Sequence, residues 1–365
     1  PYIIDTACKN HPLQTGYAYF YNLLGCIVGP LITTYILFPA FGLKGTLIIY
    51  AAIIACVPFL LGGVGGWRKP VAAVMWCVAL CASFMVKGPE ERISQNGELY
   101  RDYTGYIGAV GKGMKKRLIV NGISMTRLTT ITKNMAHLPM QYFPEAKSAL
   151  VICFGMGTTV RSLVTWPLER IAVVELSEGV INTFPYFYKN AKEVLNDPRV
   201  QIIVDDGRRY LNRAQNRYDV ITIDPPPPVY TSGSSLLYST EFYAIAKSRL
   251  SPDGVLAQWL PPTDAVRLKQ AVFQSIKKNF KHVIVYKGMH FIASDRELPP
   301  LSPQEFVEKL PQKAHTDLLQ WKKHSDINIV ARNTVKNIPI DTLLSVDDNT
   351  LMVSDDMPYN EFYLF

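Results

Sequence analysis

Residues 218–228 read YDVITIDPPPP, and this stretch decides the fold. Its apolar, β-branched run has the character of a strand buried on both faces, as in parallel sheets. Proline lacks a backbone N–H and fixes φ, so four in succession end strand pairing at Asp224 and stiffen the chain beyond it. A carboxylate is left at a strand's carboxyl end, on a rigid ledge. Four more runs share that character: ALVICF (149–154), IAVVEL (171–176), VQIIVDD (200–206) and GVLAQWL (254–260). Segments of helix length separate them, which is the pattern of a parallel sheet with helices on both faces. KHVIVYKG (281–288) and MHFIAS (289–294) are too close for a crossover helix and are expected to form a hairpin. The expected fold is α/β, and a parallel sheet finished by an antiparallel edge strand resembles the Rossmann-like sheet of S-adenosylmethionine methyltransferases. Beyond Asp295 the chain reads as helical and polar.

The residues that follow each strand carry the chemistry. The first strand runs into FGMGTT, where Gly155 and Gly157 allow a ligand to approach the backbone at a helix amino terminus. The second ends at Glu175, about 20 residues later, where an acid can accept both hydroxyls of a ribose. Asp206 and Gly207 follow the third strand, and Asp224 and Pro225 follow the fourth. Open α/β sheets bind ligands at the carboxyl ends of their strands, so this register points to a nucleoside site.

VICFGMGTT, VVELS, DPRVQIIVDDGRRYL, YDVITIDPPPP, LLYSTEFY and LSPDGVLAQW resemble, in order and spacing, the motifs of the spermidine synthase (polyamine aminopropyltransferase) family, in particular its membrane-fused members. In that family decarboxylated S-adenosylmethionine gives its aminopropyl group to a diamine and methylthioadenosine is released. The resemblance implies that Gly155 and Gly157 line the methionine-side turn, that Glu175 holds the ribose and Asp206 the adenine, and that Asp224 is the catalytic acid-base. SGSSLLYS (232–239) is then a lid-like loop, with Tyr238 a wall residue of the catalytic site. The same resemblance implies decarboxylated S-adenosylmethionine, or S-adenosylmethionine itself, as donor substrate, an amine as acceptor and no metal. It is compatible with a homo-oligomer or a membrane complex.

One part of the family pattern is missing. Relatives carry a Gln and an acidic pair for the diamine, whereas NGISMTRLTTITKNMAHLP has Asn121 for the family's Asp and Met125 near the Gln position. No Asp or Glu occurs from Lys115 through Pro144. Two alternatives follow: an S-adenosylmethionine-dependent amine methyltransferase, and a non-catalytic nucleoside-binding subunit of a membrane assembly. Arg161 is read as a helix-surface charge, His137 as a hydrogen bonder at a helix end, WKKHSD (321–326) as a solvated helix face and Cys153 as an unpaired strand cysteine. Asp355, Asp356 and Glu361 in SDDMPYNEFYLF resemble the ending of the membrane-fused relatives and receive no chemistry.

The chain is 48% hydrophobic and 19% charged, and the apolar excess is concentrated. Residues 12–43, 45–67 and 70–86 contain no charged side chain, which leads to an expectation of about three membrane-spanning helices. The chain begins with Pro1 and reads as the carboxyl-terminal part of a longer membrane protein. The expected organisation is a transmembrane region (1–87), a small antiparallel β-rich linker (88–145), a nucleoside-binding domain (146–295) and a helical extension (296–365). A multi-pass inner (plasma) membrane protein with its catalytic domain in the cytoplasm is expected, with the lipid bilayer as a partner. The net charge of +8 is mild and mixed with acids, which argues against a nucleic-acid partner. Six cysteines without a CxxC pair indicate neither a zinc site nor a disulfide framework.

Overall fold

The computed structural model describes residues 12–60, 68–226, 228–261, 266–322, 326–338 and 351–362. The chain divides into two compact units, one of Pro1–Gly108 with Val120–Gly122, the other of Ala109–Ile119 with Ile123–Phe365.

In the first unit, helix Pro12–Ile32 passes through a π-helical turn, Thr33–Leu37, into helix Phe38–Leu60, and helix Arg68–Met85 follows. The stretch Leu13–Cys56 is long and apolar enough to cross a membrane, and Tyr17, Phe20, Ile27 and Ile54 within it are exposed. Among the described residues it is the one helical stretch that qualifies, against the three expected from sequence. Residues 61–67, the end of the second apolar run, lie outside the described residues. Gly42 interrupts the helical backbone at φ 69°, and a Cβ there would sit 2.1 Å from a Glu90 carboxylate oxygen. That carboxylate is buried, accepts from the Leu43 amide (2.8 Å) and pairs with Arg101 (2.8 Å), so its charge is satisfied where water is scarce.

Strands β1 (Gly97–Asp102), β2 (Gly105–Val110), β3 (Arg117–Val120) and β4 (Ile123–Arg127) form a small four-stranded sheet in sequential order. Asn121, at φ 50°, turns β3 into β4 as the Asn-Gly pair leads one to expect.

The main sheet of the second unit has seven strands. They are β5 (Ser148–Ile152), β6 (Arg170–Glu175), β7 (Val200–Val204), β8 (Tyr218–Ile223), β9 (Leu250–Trp259), β10 (His282–Tyr286) and β11 (His290–Ser294). Their order is β10-β11-β9-β8-β5-β6-β7, with β5 to β9 parallel and the β10–β11 hairpin antiparallel at one edge. This is the expected doubly wound sheet with its antiparallel finish. Side chains alternate between two cores, as the period of two requires. Leu256 of β9 packs with Ile221, Ile223, Phe242 and Phe291, while its neighbours Val255 and Ala257 pack with Met135 and Leu138 of helix Thr130–Tyr142.

Two single-residue expectations are corrected. Arg161 is not a helix-surface charge but one arm of a buried cluster around Asp317, which lies in helix Gln312–Leu319. The Asp317 carboxylate takes Arg161 at 2.7 Å, the Ser162 hydroxyl at 2.7 Å, Lys133 at 3.1 Å and His137 Nε2 at 3.1 Å. Burial alone would raise this carboxyl, but His137, Lys133 and Ser162 outweigh it and hold it well below the usual carboxylate range. Burial also pushes the Lys133 ammonium, 4.0 Å from the Trp321 ring centroid, down to about 8. His137 is fully buried in the body of its helix rather than at its end; its Nδ1 accepts from Trp166 (3.0 Å), so Nε2 carries the proton given to Asp317. Of WKKHSD, Trp321 stacks on Tyr188 and is half-buried, whereas residues 323–325 lie outside the described residues.

Candidate active site

The parallel ladder continues past the strands, and this aligns their ends. The Asp224 amide donates to the Ile152 carbonyl (3.1 Å), the Cys153 amide to Val174 (3.0 Å) and the Asp205 amide to Glu175 (3.0 Å). The turn after β5 then reverses direction: Cys153, Gly155 and Gly157 take φ of 71°, 55° and 74°, and Gly157 caps helix Thr158–Leu163. The two predicted glycines differ in purpose. A Cβ on Gly157 would lie 2.4 Å from the Phe184 ring, so packing as well as φ demands glycine there; one on Gly155 would meet nothing closer than Thr126 at 3.9 Å, so its face lies open to a ligand. Gly207 is likewise a packing glycine, since a Cβ there would meet Ile152 at 2.5 Å.

Glu175 is tied into this turn. Its carboxylate accepts from the amides of Phe154 (2.8 Å) and Ser177 (3.1 Å), with those of Leu176 and Gly155 also bonded to it. Burial raises its pKa and the amide bonds oppose that without cancelling it. Asp206 caps helix Gly207–Arg213 by accepting from the Arg209 amide (2.7 Å), and Asp205 forms an ion pair with Arg209.

Asp224 is half-buried just past β8, with Pro225 buried behind it and Pro226 exposed; Pro227 lies outside the described residues. Burial alone pushes its carboxyl up to about 7, far above the ordinary aspartate value. Such a group accepts a proton near neutral pH and releases it again, as a general acid-base must. The Tyr238 side chain is fully buried, and its phenol, driven well up by burial with Tyr243, Cys153 and Asp224 close by, has no hydrogen-bond partner among the described residues. The predicted wall residue thus stands by the predicted acid-base.

From sequence Cys153 reads as an ordinary strand cysteine; the structure makes it the meeting point of the strand ends. Burial raises its thiol, and Glu175, Asp224 and Asp206 add to the rise in that order, so three predicted carboxylates converge on one residue. The signal available was its place immediately before FGMG, where a reversing turn forces a positive φ on the next residues. The arrangement can hold a nucleoside between Gly155, Glu175 and Asp206 and bring its reactive end to Asp224.

Residues 129–299 match the spermine/spermidine synthase domain. That stretch of the chain is similar to this family's domain. Among curated relatives, the polyamine aminopropyltransferase of Moorella thermoacetica is 32% identical over 154 residues, covering 42% of this chain and 54% of that protein. The polyamine aminopropyltransferase of Thermoanaerobacter sp. (strain X514) is 27% identical over 150 residues, covering 41% and 52%. The chain thus spans about half the length of the curated relatives it matches. Among solved structures, the spermidine synthase of Thermotoga maritima is 22% identical with a TM-score of 0.49, covering 60% of this chain and 86% of that one.

Proposed function

We propose that this chain is a membrane-bound, spermidine synthase-like aminopropyltransferase that uses decarboxylated S-adenosylmethionine to alkylate an amine. The observation that carries the reading is Asp224, a half-buried carboxyl pushed up to about 7 just past the carboxyl end of β8. In this reading Gly155, Glu175 and Asp206 hold the donor, residues 146–295 supply the nucleoside domain, and residues 88–145 and 296–365 flank it. The acceptor nitrogen attacks the carbon bound to the sulfonium, the carbon–sulfur bond breaks with its electron pair going to sulfur, and methylthioadenosine leaves. The proton released from nitrogen passes to Asp224, which a group with a pKa near 7 can accept and later return to water. The carbon is already electrophilic, so most of the acceleration comes from orienting a neutral amine in line with sulfur. Tyr238 and Pro225 would wall that position.

The apolar stretch Leu13–Cys56 supports an anchor in the bilayer, and the further uncharged runs to residue 86 favour a multi-pass arrangement in the inner membrane; the cytoplasmic placement of the nucleoside domain follows from the cytosolic donor that this reading assigns. The test is release of methylthioadenosine by detergent-purified protein given decarboxylated S-adenosylmethionine and a panel of mono- and diamines. Release that depends on the amine and is lost in Asp224→Asn supports the reading. Methyl transfer from intact S-adenosylmethionine instead would replace it by the amine methyltransferase.

A further inference from the structure

The segment Leu351–Phe362 packs over the loop that follows Asp224, and its contacts are specific. The buried Asn360 amide donates to the Val229 carbonyl (2.7 Å) and to the Ser234 hydroxyl (2.9 Å), which itself donates to Val229 (2.5 Å). The Glu361 carboxylate accepts from the amides of Gly233 (2.9 Å) and Ser235 (2.7 Å), at the start of the single 3₁₀ turn Ser234–Leu237. That turn ends on Tyr238, whose amide donates to the Ser235 carbonyl (2.9 Å). Apolar contacts run in parallel: Val353 is fully buried in the same core as Val229 and Tyr238, with Leu351 and Tyr359 packed against it. The other rim of the site is held too. Asp355 pairs with Arg208, two residues beyond Asp206, and the Val353 carbonyl accepts from Thr240 (2.8 Å).

We infer that Asn360 and Glu361 are positioning residues of the site: they fix the 229–237 loop so that Tyr238 stays beside Asp224. Each acts through the loop and touches no reacting atom. A carboxylate that takes two loop amides defines the loop's conformation more tightly than apolar packing, because such bonds are directional and charge-assisted. The catalytic consequence rests on the transferase reading above; the holding of the loop does not.

The test uses the full chain in detergent with Glu361→Ala, Glu361→Gln and Asn360→Ser. Amide hydrogen exchange at Gly233 and Ser235 is expected to be about tenfold or more faster in Glu361→Ala, the effect of one lost charge-assisted bond, with Glu361→Gln in between. Methylthioadenosine affinity is expected to stay within about twofold of wild type, while kcat for transfer falls about tenfold, since the lost contacts lie on the Asp224 side and not on the nucleoside. Asn360→Ser gives the same split to a smaller degree. Wild-type exchange and kcat in both Glu361→Ala and Asn360→Ser would overturn the inference. So would a parallel fall of kcat, nucleoside affinity and melting temperature in Glu361→Gln, which marks a general prop rather than a positioning contact. If wild type transfers no group to any amine, the transferase reading fails, and the exchange rates at Gly233 and Ser235 still decide whether this segment fixes the loop.

Discussion

Replacing Asp224 by Asn should make the protein more stable and less active at the same time, and the pH dependence of the first effect is set by the structure. Burial lifts the Asp224 carboxyl from its ordinary 3.8 to about 7, so the folded state holds this proton more tightly than the unfolded chain does. Stability is therefore unaffected by this group below about pH 4, falls as pH rises from there to about 7, and is lowest above it. Across that window each pH unit costs about 1.36 kcal/mol, which brings the penalty for wild type at pH 8 to about 4 kcal/mol. Asn resembles the protonated acid in shape and carries no charge to desolvate, so Asp224→Asn should match wild type at about pH 4 and exceed it by up to about 4 kcal/mol at about pH 8. For a domain of this size that is about 10 °C in melting temperature. The assay is thermal unfolding of both proteins at intervals from about pH 4 to about pH 8, beside the transfer rate. Loss of the general base should cost about 10²–10⁴ in kcat. A stability difference that stays flat with pH, or a variant less stable than wild type above neutrality, would refute the desolvation argument and with it the claim that Asp224 is poised near neutral pH.

Gly155→Ala should lower methylthioadenosine affinity at a stability cost of about 1 kcal/mol for the positive φ, whereas Gly157→Ala, which meets Phe184 at 2.4 Å, should cost about 3 kcal/mol; calorimetry and thermal melts separate the two. Asp317→Ala leaves Lys133 and His137 buried without their carboxylate partner and should destabilise by about 3–5 kcal/mol, checked by melting, without altering the pH profile of transfer. Because the Asp317 carboxyl is held low, its contribution is complete above about pH 4 and fades as the pH falls further, so wild type and Asp317→Ala should converge in acid melts. Asp206→Ala should lose about 1 kcal/mol for the missing helix cap and, in addition, nucleoside affinity.

The parallel sheet was legible because fully buried parallel strands write themselves as apolar runs, and the hairpin because β10 and β11 leave no room for a crossover. The start of β9 was not: the apolar run was read from Gly254, yet pairing reaches back to Leu250, Tyr218 to Leu250 and Val220 to Val255, across an irregularity in register where Asp253 takes φ 62°. The strand-end acids were legible because sheet topology gathers carboxyl ends, a rule that needs no coordinates. The Asp317 cluster was hidden because its members lie 155 to 184 residues from Asp317 in sequence, and a lone buried acid has no local pattern. Asn360 and Glu361 were hidden for the same reason, since their partners sit 126 to 131 residues away. Gly157 and Gly207 fitted a ligand-binding motif, and only the packing of Phe184 and Ile152 reveals what else they do.

The central claim, a nucleoside sulfonium donor held for aminopropyl transfer, is tested most directly by calorimetry of the full chain in detergent with decarboxylated S-adenosylmethionine, intact S-adenosylmethionine and methylthioadenosine, beside Asp206→Ala. The account expects the decarboxylated donor and methylthioadenosine to bind more tightly than the intact donor, and Asp206→Ala to weaken all three. Tighter binding of intact S-adenosylmethionine, or no binding of any of them, would contradict it.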